Sequence, residues 1–126
     1  MIKNYLINIL TLIFVFSSIG CTQQKSGTSI TMSEFKEILK SNKNIVVLDV
    51  RTPEELAGPL GKIDSAINIP IQVLDQRIGE LEKYKDKEIL VICRTQNRSA
   101  VAVDYLNKKG YNSKNVLGGM AEYNKK

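Results

Sequence analysis

Residues 88–99 of the chain read EILVICRTQNRS, and this stretch decides the fold. Its first half holds the apolar run Ile89-Leu90-Val91-Ile92, which is typical of a buried strand. Its second half is polar, and from Asn97 onward the apolar residues recur at helical spacing until Gly110, which is placed to end a helix in a left-handed cap. A strand, a short loop and a helix therefore follow one another directly, with Cys93 at the carboxyl end of the strand.

Strands and helices alternate along the rest of the chain. Apolar runs predict strands at Ile45–Val50, Ala66–Ile69 and Val116–Leu117, with helical patterns between them. This alternation predicts an α/β fold, an open parallel sheet of about five strands with helices on both faces. Ligands of such sheets bind at the carboxyl ends of the strands, which is where Cys93 stands.

Two helix starts carry the spacing of a capping box. Thr31 precedes Glu34 by three residues, and Thr52 precedes Glu55 by three, with Pro53 at the first helical position. The spacing of the apolar side chains predicts a further amphipathic helix through Leu74, Ile78 and Leu81.

Composition excludes several classes of function. The 126-residue chain contains no histidine, which excludes a Ser-His-Asp or Cys-His nucleophile and leaves no imidazole for a zinc site. The sequence therefore predicts no metal and no cofactor. Net charge is +5, but the lysines are scattered without interleaved aromatic residues, which argues against nucleic acid as a partner.

The first twenty residues differ from all that follow. Residues 1–20 carry one charge, Lys3, then an apolar run and small residues, which is the pattern of a secretory signal peptide. The Gly-Cys ending resembles the lipobox of bacterial lipoproteins, which implies that Cys21 is acylated. We expect residues 21–28 to form a flexible tether and 29–126 to fold. The domain is then predicted to be lipid-anchored on the periplasmic side of a bacterial membrane, or secreted if Cys21 is not acylated.

The segment Cys93–Ser99 has the features of a reactive thiol site. Successive backbone N–H groups and a helix N-terminus favour an anion at this point, and Arg94 and Arg98 add two positive charges. All of these favour the thiolate form of Cys93 over the thiol. The alternative is an inert buried cysteine, since cysteine also packs as a small hydrophobic residue.

Four segments together resemble the rhodanese family of sulfurtransferases. They are LDVRTPEEL at 48–56, SAINIP at 65–70, CRTQNRS at 93–99 and GGM at 118–120. The resemblance covers about residues 29–123. It implies a rhodanese-like fold with the active loop at 93–99.

The resemblance also implies a reaction and roles for residues. Cys93 would take sulfur from thiosulfate or another small anionic donor as a persulfide, and a thiol or cyanide would accept it, with a partner protein as a further acceptor. Asp49 and Arg51 would support the site from behind. The residues that would bind the substrate are Arg94, Thr95, Gln96, Asn97, Arg98 and Ser99.

One departure from the family keeps other functions open. Gln96 stands where the family usually has glycine, and glutamine would be strained there if the position required positive φ. The second hypothesis is therefore a non-catalytic binding, sulfur-relay or thiol-redox module in the periplasm. A third is a phosphatase, which is disfavoured because four residues separate Cys93 from Arg98, where related dual-specificity phosphatases have five.

Overall fold

A single parallel sheet organises the protein in a computed structural model that describes residues 27–41 and 44–126. All neighbouring strands pair in parallel, in the order β1-β5-β4-β2-β3. The strands are β1 (Ser29–Ile30), β2 (Ile45–Asp49), β3 (Ile67–Asn68), β4 (Glu88–Ile92) and β5 (Asn112–Val116). The predicted five-stranded α/β sheet is confirmed, and β4 lies at its centre.

Helices cover both faces of this sheet. The α-helices are α1 (Met32–Ser41), α2 (Pro53–Leu56), α3 (Leu74–Arg77), α4 (Asn97–Lys108) and α5 (Gly119–Tyr123). Alternate side chains of β4 enter two separate cores, since Ile89 and Val91 face α4 and α3 while Leu90 and Ile92 face α1 and α5. The central strand is thus buried on both faces, which explains its continuous apolar sequence.

Both predicted capping boxes are present. At α1 the Thr31 hydroxyl accepts from the Glu34 N–H (3.2 Å), and the Glu34 carboxylate accepts from the Thr31 N–H (2.8 Å). At α2 the same exchange joins Thr52 and Glu55. Gly110 adopts φ 88° just beyond α4, as a left-handed helix end requires.

Four elements differ from the sequence prediction. The segment predicted as one amphipathic helix has only one α-helical segment, α3, between 3-10 helices at Ile71–Val73 and Ile78–Tyr84. Strand β5 begins earlier than the apolar pair Val116–Leu117, because its polar residues also form ladder pairs with β4. Strand β1 and helix α5 were not predicted at all.

The predictions for the signal peptide, for Cys21 and for most of the tether concern residues 1–26, which lie outside the described residues. Strand β1 is held to β5, and the Thr28 carbonyl just before it accepts from the Asn115 N–H (2.7 Å). None of the helices in the described ranges combines the length and the apolar character needed to cross a membrane.

Candidate active site

Cys93 lies at the carboxyl end of the central strand. Strand β4 ends at Ile92, and α4 begins at Asn97, so the intervening loop is short. The flanking strands β2 and β5 are both hydrogen-bonded to β4, which places Cys93 in the middle of the sheet edge. The residue is only 1% exposed, so its thiol lies at the floor of the loop rather than on the surface.

The main-chain N–H groups of residues 94–99 are available to a ligand. Among the residues that the structure describes, none of these N–H groups donates to a protein acceptor. The last of them belong to the first turn of α4, where N–H groups have no partner within the helix. Residues 94–97 are exposed, and successive free N–H groups in a turn are typical of an anion site.

Helix α5 fixes the direction of the loop's peptide groups. The carbonyl of Cys93 accepts from the Met120 N–H, and that of Arg94 accepts from the Ala121 N–H, each at 2.9 Å. Because the carbonyl and N–H of one trans peptide point in opposite directions, the N–H groups of Arg94 and Thr95 face away from α5. Gly119 permits this close packing, because a Cβ there (φ 55°) would collide with the Thr95 carbonyl oxygen.

A buried polar chain contacts the sulfur. The Sγ of Cys93 lies 3.2 Å from the Ser99 hydroxyl, and that hydroxyl donates to the Oδ1 of Asn115 at 2.6 Å. A hydroxyl has a single proton, so in this arrangement the Ser99 oxygen accepts from the Cys93 thiol. Asn115 also donates to the Gln96 carbonyl (3.2 Å), which ties the loop to β5.

Gln96 fits its position without strain. Its φ is −162°, so the loop does not require at this position the positive φ that favours glycine. Its side-chain oxygen accepts from the Gly118 N–H at 3.3 Å. Glutamine in place of the usual glycine therefore supports the loop through this hydrogen bond.

Arg98 is paired with a carboxylate from another element. Its two terminal nitrogens donate to the two oxygens of Glu55, both at 2.7 Å, in a bidentate ion pair. The Arg98 hydrogen bonds, together with a bond from Thr52, lower the pKa of the Glu55 carboxyl to about 2 despite its partial burial. The charge of Arg98 is thus neutralised within the protein.

Arg94 has a different environment. It is exposed, and it forms no ion pair with any residue in the described ranges. It lines a cleft of about 440 Å³ beside the loop. The other residues of this cleft are Arg51, Glu54, Glu55, Gly58, Pro59 and Leu60.

Asp49 and Arg51 form a buried ion pair behind the site. Both side chains are 1% exposed, and the Arg51 guanidinium donates to both carboxylate oxygens of Asp49, the shortest contact being 2.7 Å. The same guanidinium donates to the Gly61 carbonyl (2.8 Å). Asn68, which lies in the SAINIP segment at 65–70, donates to the carbonyls of Asp49 (3.0 Å) and Arg51 (2.8 Å). Together these bonds hold the turn that carries Glu55 toward the loop.

The sequence prediction missed two residues that shape this site. Glu55 was identified only as a capping residue, and Asn115 was assigned no role. Nothing local distinguishes either, since Glu55 is 43 residues from Arg98 and Asn115 is 16 residues from Ser99. The loop residues Thr95 and Asn97 are brought to the same edge as Cys93, and both are exposed.

Comparison with known proteins identifies this arrangement. A family model described as "Rhodanese-like domain" matches residues 31–126. A "Putative sulfurtransferase YtwF" from Bacillus subtilis is 34% identical over 91 residues, 72% of this chain and 84% of that protein. A "Sulfurtransferase" from Allochromatium vinosum is 30% identical over 92 residues, 72% of this chain and 82% of that protein.

A solved structure supports the same relationship. The crystal structure of a "Rhodanese-like Domain Protein" from Staphylococcus aureus superimposes with a TM-score of 0.69 at 34% sequence identity. The match covers 78% of this chain and 92% of that one.

The buried ion pair gives a direct stability prediction. We expect Asp49→Ala to lower the free energy of unfolding by about 3–5 kcal/mol, because the Arg51 charge would stay buried without a partner. Urea denaturation monitored by circular dichroism measures this. Glu37→Ala is the matched control, because it breaks an exposed pair with Lys40 and should change stability little. Equal stability losses in the two variants would contradict the structural role of Asp49.

Proposed function

Because the chain belongs to the rhodanese-like domain family, we propose that it transfers sulfane sulfur through a persulfide on Cys93. The donor is thiosulfate or another sulfane-sulfur compound, and the acceptor is a thiol or cyanide, free or on a partner protein. One observation supports this most strongly: the N–H groups of residues 94–99, which directly follow Cys93 in the chain, have no acceptor in the described part of the protein.

The proposed reaction has two halves. In the first, the Cys93 thiolate attacks the outer sulfur of thiosulfate, the new Sγ–S bond forms, and the S–S bond of the donor breaks. Sulfite leaves with the electron pair of that bond. In the second, the acceptor attacks the outer sulfur of the persulfide and the Cys93 thiolate is released again. No histidine is needed, because no step transfers a proton to a poor leaving group.

The protein's part is to stabilise negative charge on sulfur. The open N–H groups of the loop and the N-terminus of α4 would donate to the thiolate and to the terminal sulfur of the persulfide. The Ser99 hydroxyl lies 3.2 Å from the Sγ, and its proton would turn from Asn115 to the sulfur once Cys93 is a thiolate. Arg94 is the exposed cation beside this loop and would attract an anionic donor.

The conformation of Gln96 bears on the alternative of a non-catalytic module. That hypothesis rested on glutamine replacing glycine in the loop. Because Gln96 adopts a negative φ and supports Gly118, its presence gives no reason to expect a misshapen loop. This favours the catalytic proposal over a passive binding role.

The setting of the domain is a further part of the proposal. A lipid on Cys21 and the tether at 21–28 would hold the domain on the periplasmic side of a bacterial membrane, as the signal-like residues 1–20 predict.

Metabolic labelling with a fatty-acid analogue tests whether Cys21 carries a lipid. We expect label on the wild-type chain and none on Cys21→Ser, with Cys93→Ser labelled as wild type. Equal labelling of the Cys21 variant would contradict the anchor.

Sulfur transfer is tested by the intact mass of the reduced chain after incubation with excess thiosulfate and, separately, with cysteine persulfide. We expect a gain of one sulfur atom that cyanide removes as thiocyanate. Cys93→Ser is the control and should gain none. If neither donor adds sulfur while Cys93 is demonstrably reduced, the proposed function is wrong.

A further inference from the structure

The positive charges at the active end of the sheet are largely neutralised by fixed carboxylates. Arg51 is neutralised by Asp49 in the buried pair, and Arg98 is neutralised by Glu55 through two 2.7 Å hydrogen bonds. Among the described residues, Arg94 is the arginine at this edge that has no carboxylate partner. A dianion entering the loop would therefore meet much less net positive charge than the sequence suggests.

Glu55 is held in place from two directions. Besides its bonds to Arg98, its Oε2 accepts from the Thr52 N–H at 3.0 Å as part of the capping box of α2. Moving the carboxylate away from Arg98 would therefore also uncap that helix. The low pKa of Glu55, about 2, keeps it negative at any pH near neutrality. An anion that needs Arg98 must compete with a carboxylate already bound there.

The cleft beside the loop is lined by both apolar and charged residues. Its apolar part is formed by Pro59 and Leu60. Of its four charged residues, Arg51 and Glu55 are held in ion pairs, which leaves Glu54 and Arg94, of opposite sign, for a ligand. A small organic molecule with both an ammonium and a carboxylate group matches this lining better than a compact dianion does. The volume of about 440 Å³ is ample for a molecule of amino-acid size.

We propose that Glu55 is a specificity-determining residue that disfavours dianionic donors, and that the preferred donor is a small amino-acid-like persulfide bound in this cleft. This inference rests on the proposed sulfur transfer at Cys93. The Cys93 thiolate would attack the outer sulfur of R–S–SH, forming the Sγ–S bond as the R–S bond to that sulfur breaks. The electron pair leaves on R–S⁻, which takes a proton from water, and no oxidant or reductant is consumed.

The experiment compares two donors by single-turnover kinetics. The full chain, reduced and dispersed in detergent micelles, is mixed with thiosulfate or with cysteine persulfide, and the sulfur gained by Cys93 is followed by intact mass. For the wild type we expect a second-order rate constant at least about tenfold higher with cysteine persulfide than with thiosulfate. This comparison needs no variant, so it does not depend on how well a variant folds.

Glu55→Gln then tests the residue itself. The amide keeps an acceptor for Thr52 and for one bond of Arg98 but removes the negative charge. We expect its rate constant with thiosulfate to rise about tenfold, because the charge of Arg98 becomes available to the dianion. Glu54 carries the same charge one residue away but does not contact Arg98. We expect Glu54→Gln to have a lower rate constant with cysteine persulfide and an unchanged one with thiosulfate. Glu37→Gln, on the exposed face of α1, controls for net charge.

The outcomes separate this inference from the proposed function. If thiosulfate reacts with the wild type as fast as cysteine persulfide does, or if Glu55→Gln gains nothing with thiosulfate, the assignment of Glu55 is overturned while sulfur transfer stands. An equal gain in Glu54→Gln or Glu37→Gln would also overturn it, since any lost charge would then suffice. If neither donor adds sulfur to Cys93, the proposed function fails and the donor preference fails with it.

Discussion

Two main-chain hydrogen bonds hold the carbonyl groups of Cys93 and Arg94 against helix α5, and the candidate site depends on them. Each peptide group is planar, so fixing a carbonyl also fixes the N–H on its opposite side. The N–H groups that remain open to a ligand are therefore oriented by the fold before any ligand arrives. Such preorganised donors stabilise negative charge without the energetic cost of reorienting at each turnover. Gly119 is essential to this arrangement, because any larger residue would push α5 off the loop.

Local pattern was enough to predict the elements around the site. The apolar run of β4 placed Cys93 at a strand end, and the spacing of Thr52 and Glu55 placed a helix start close by. Gly110 marked the end of α4 through its left-handed conformation. Each of these signals depends on a few neighbouring residues, so it can be recognised from the sequence alone. The resemblance to a known family then linked the separate elements to one loop.

Long-range polar contacts could not be predicted in the same way. Strand β5 has a polar sequence because its buried Ser113 and Asn115 are satisfied by Asn107 and Ser99 of helix α4. In sequence such residues are typical of a loop, so only the pair Val116–Leu117 suggested a strand. The ion pair of Arg98 could not be predicted either, since its partner Glu55 lies on a different element, 43 residues away. A charged residue near a reactive cysteine is readily assigned to substrate binding, whereas the structure shows its charge already neutralised.

The central claim is that the main chain of the loop holds the transferred sulfur on Cys93. A crystal structure of the chain after reaction with cysteine persulfide tests this claim most directly. The account predicts one additional sulfur atom bonded to the Sγ of Cys93, within hydrogen-bonding distance of the N–H groups of residues 94–99, with Arg98 still paired to Glu55. An additional sulfur that is turned away from those N–H groups, or that is carried by a residue other than Cys93, would contradict it.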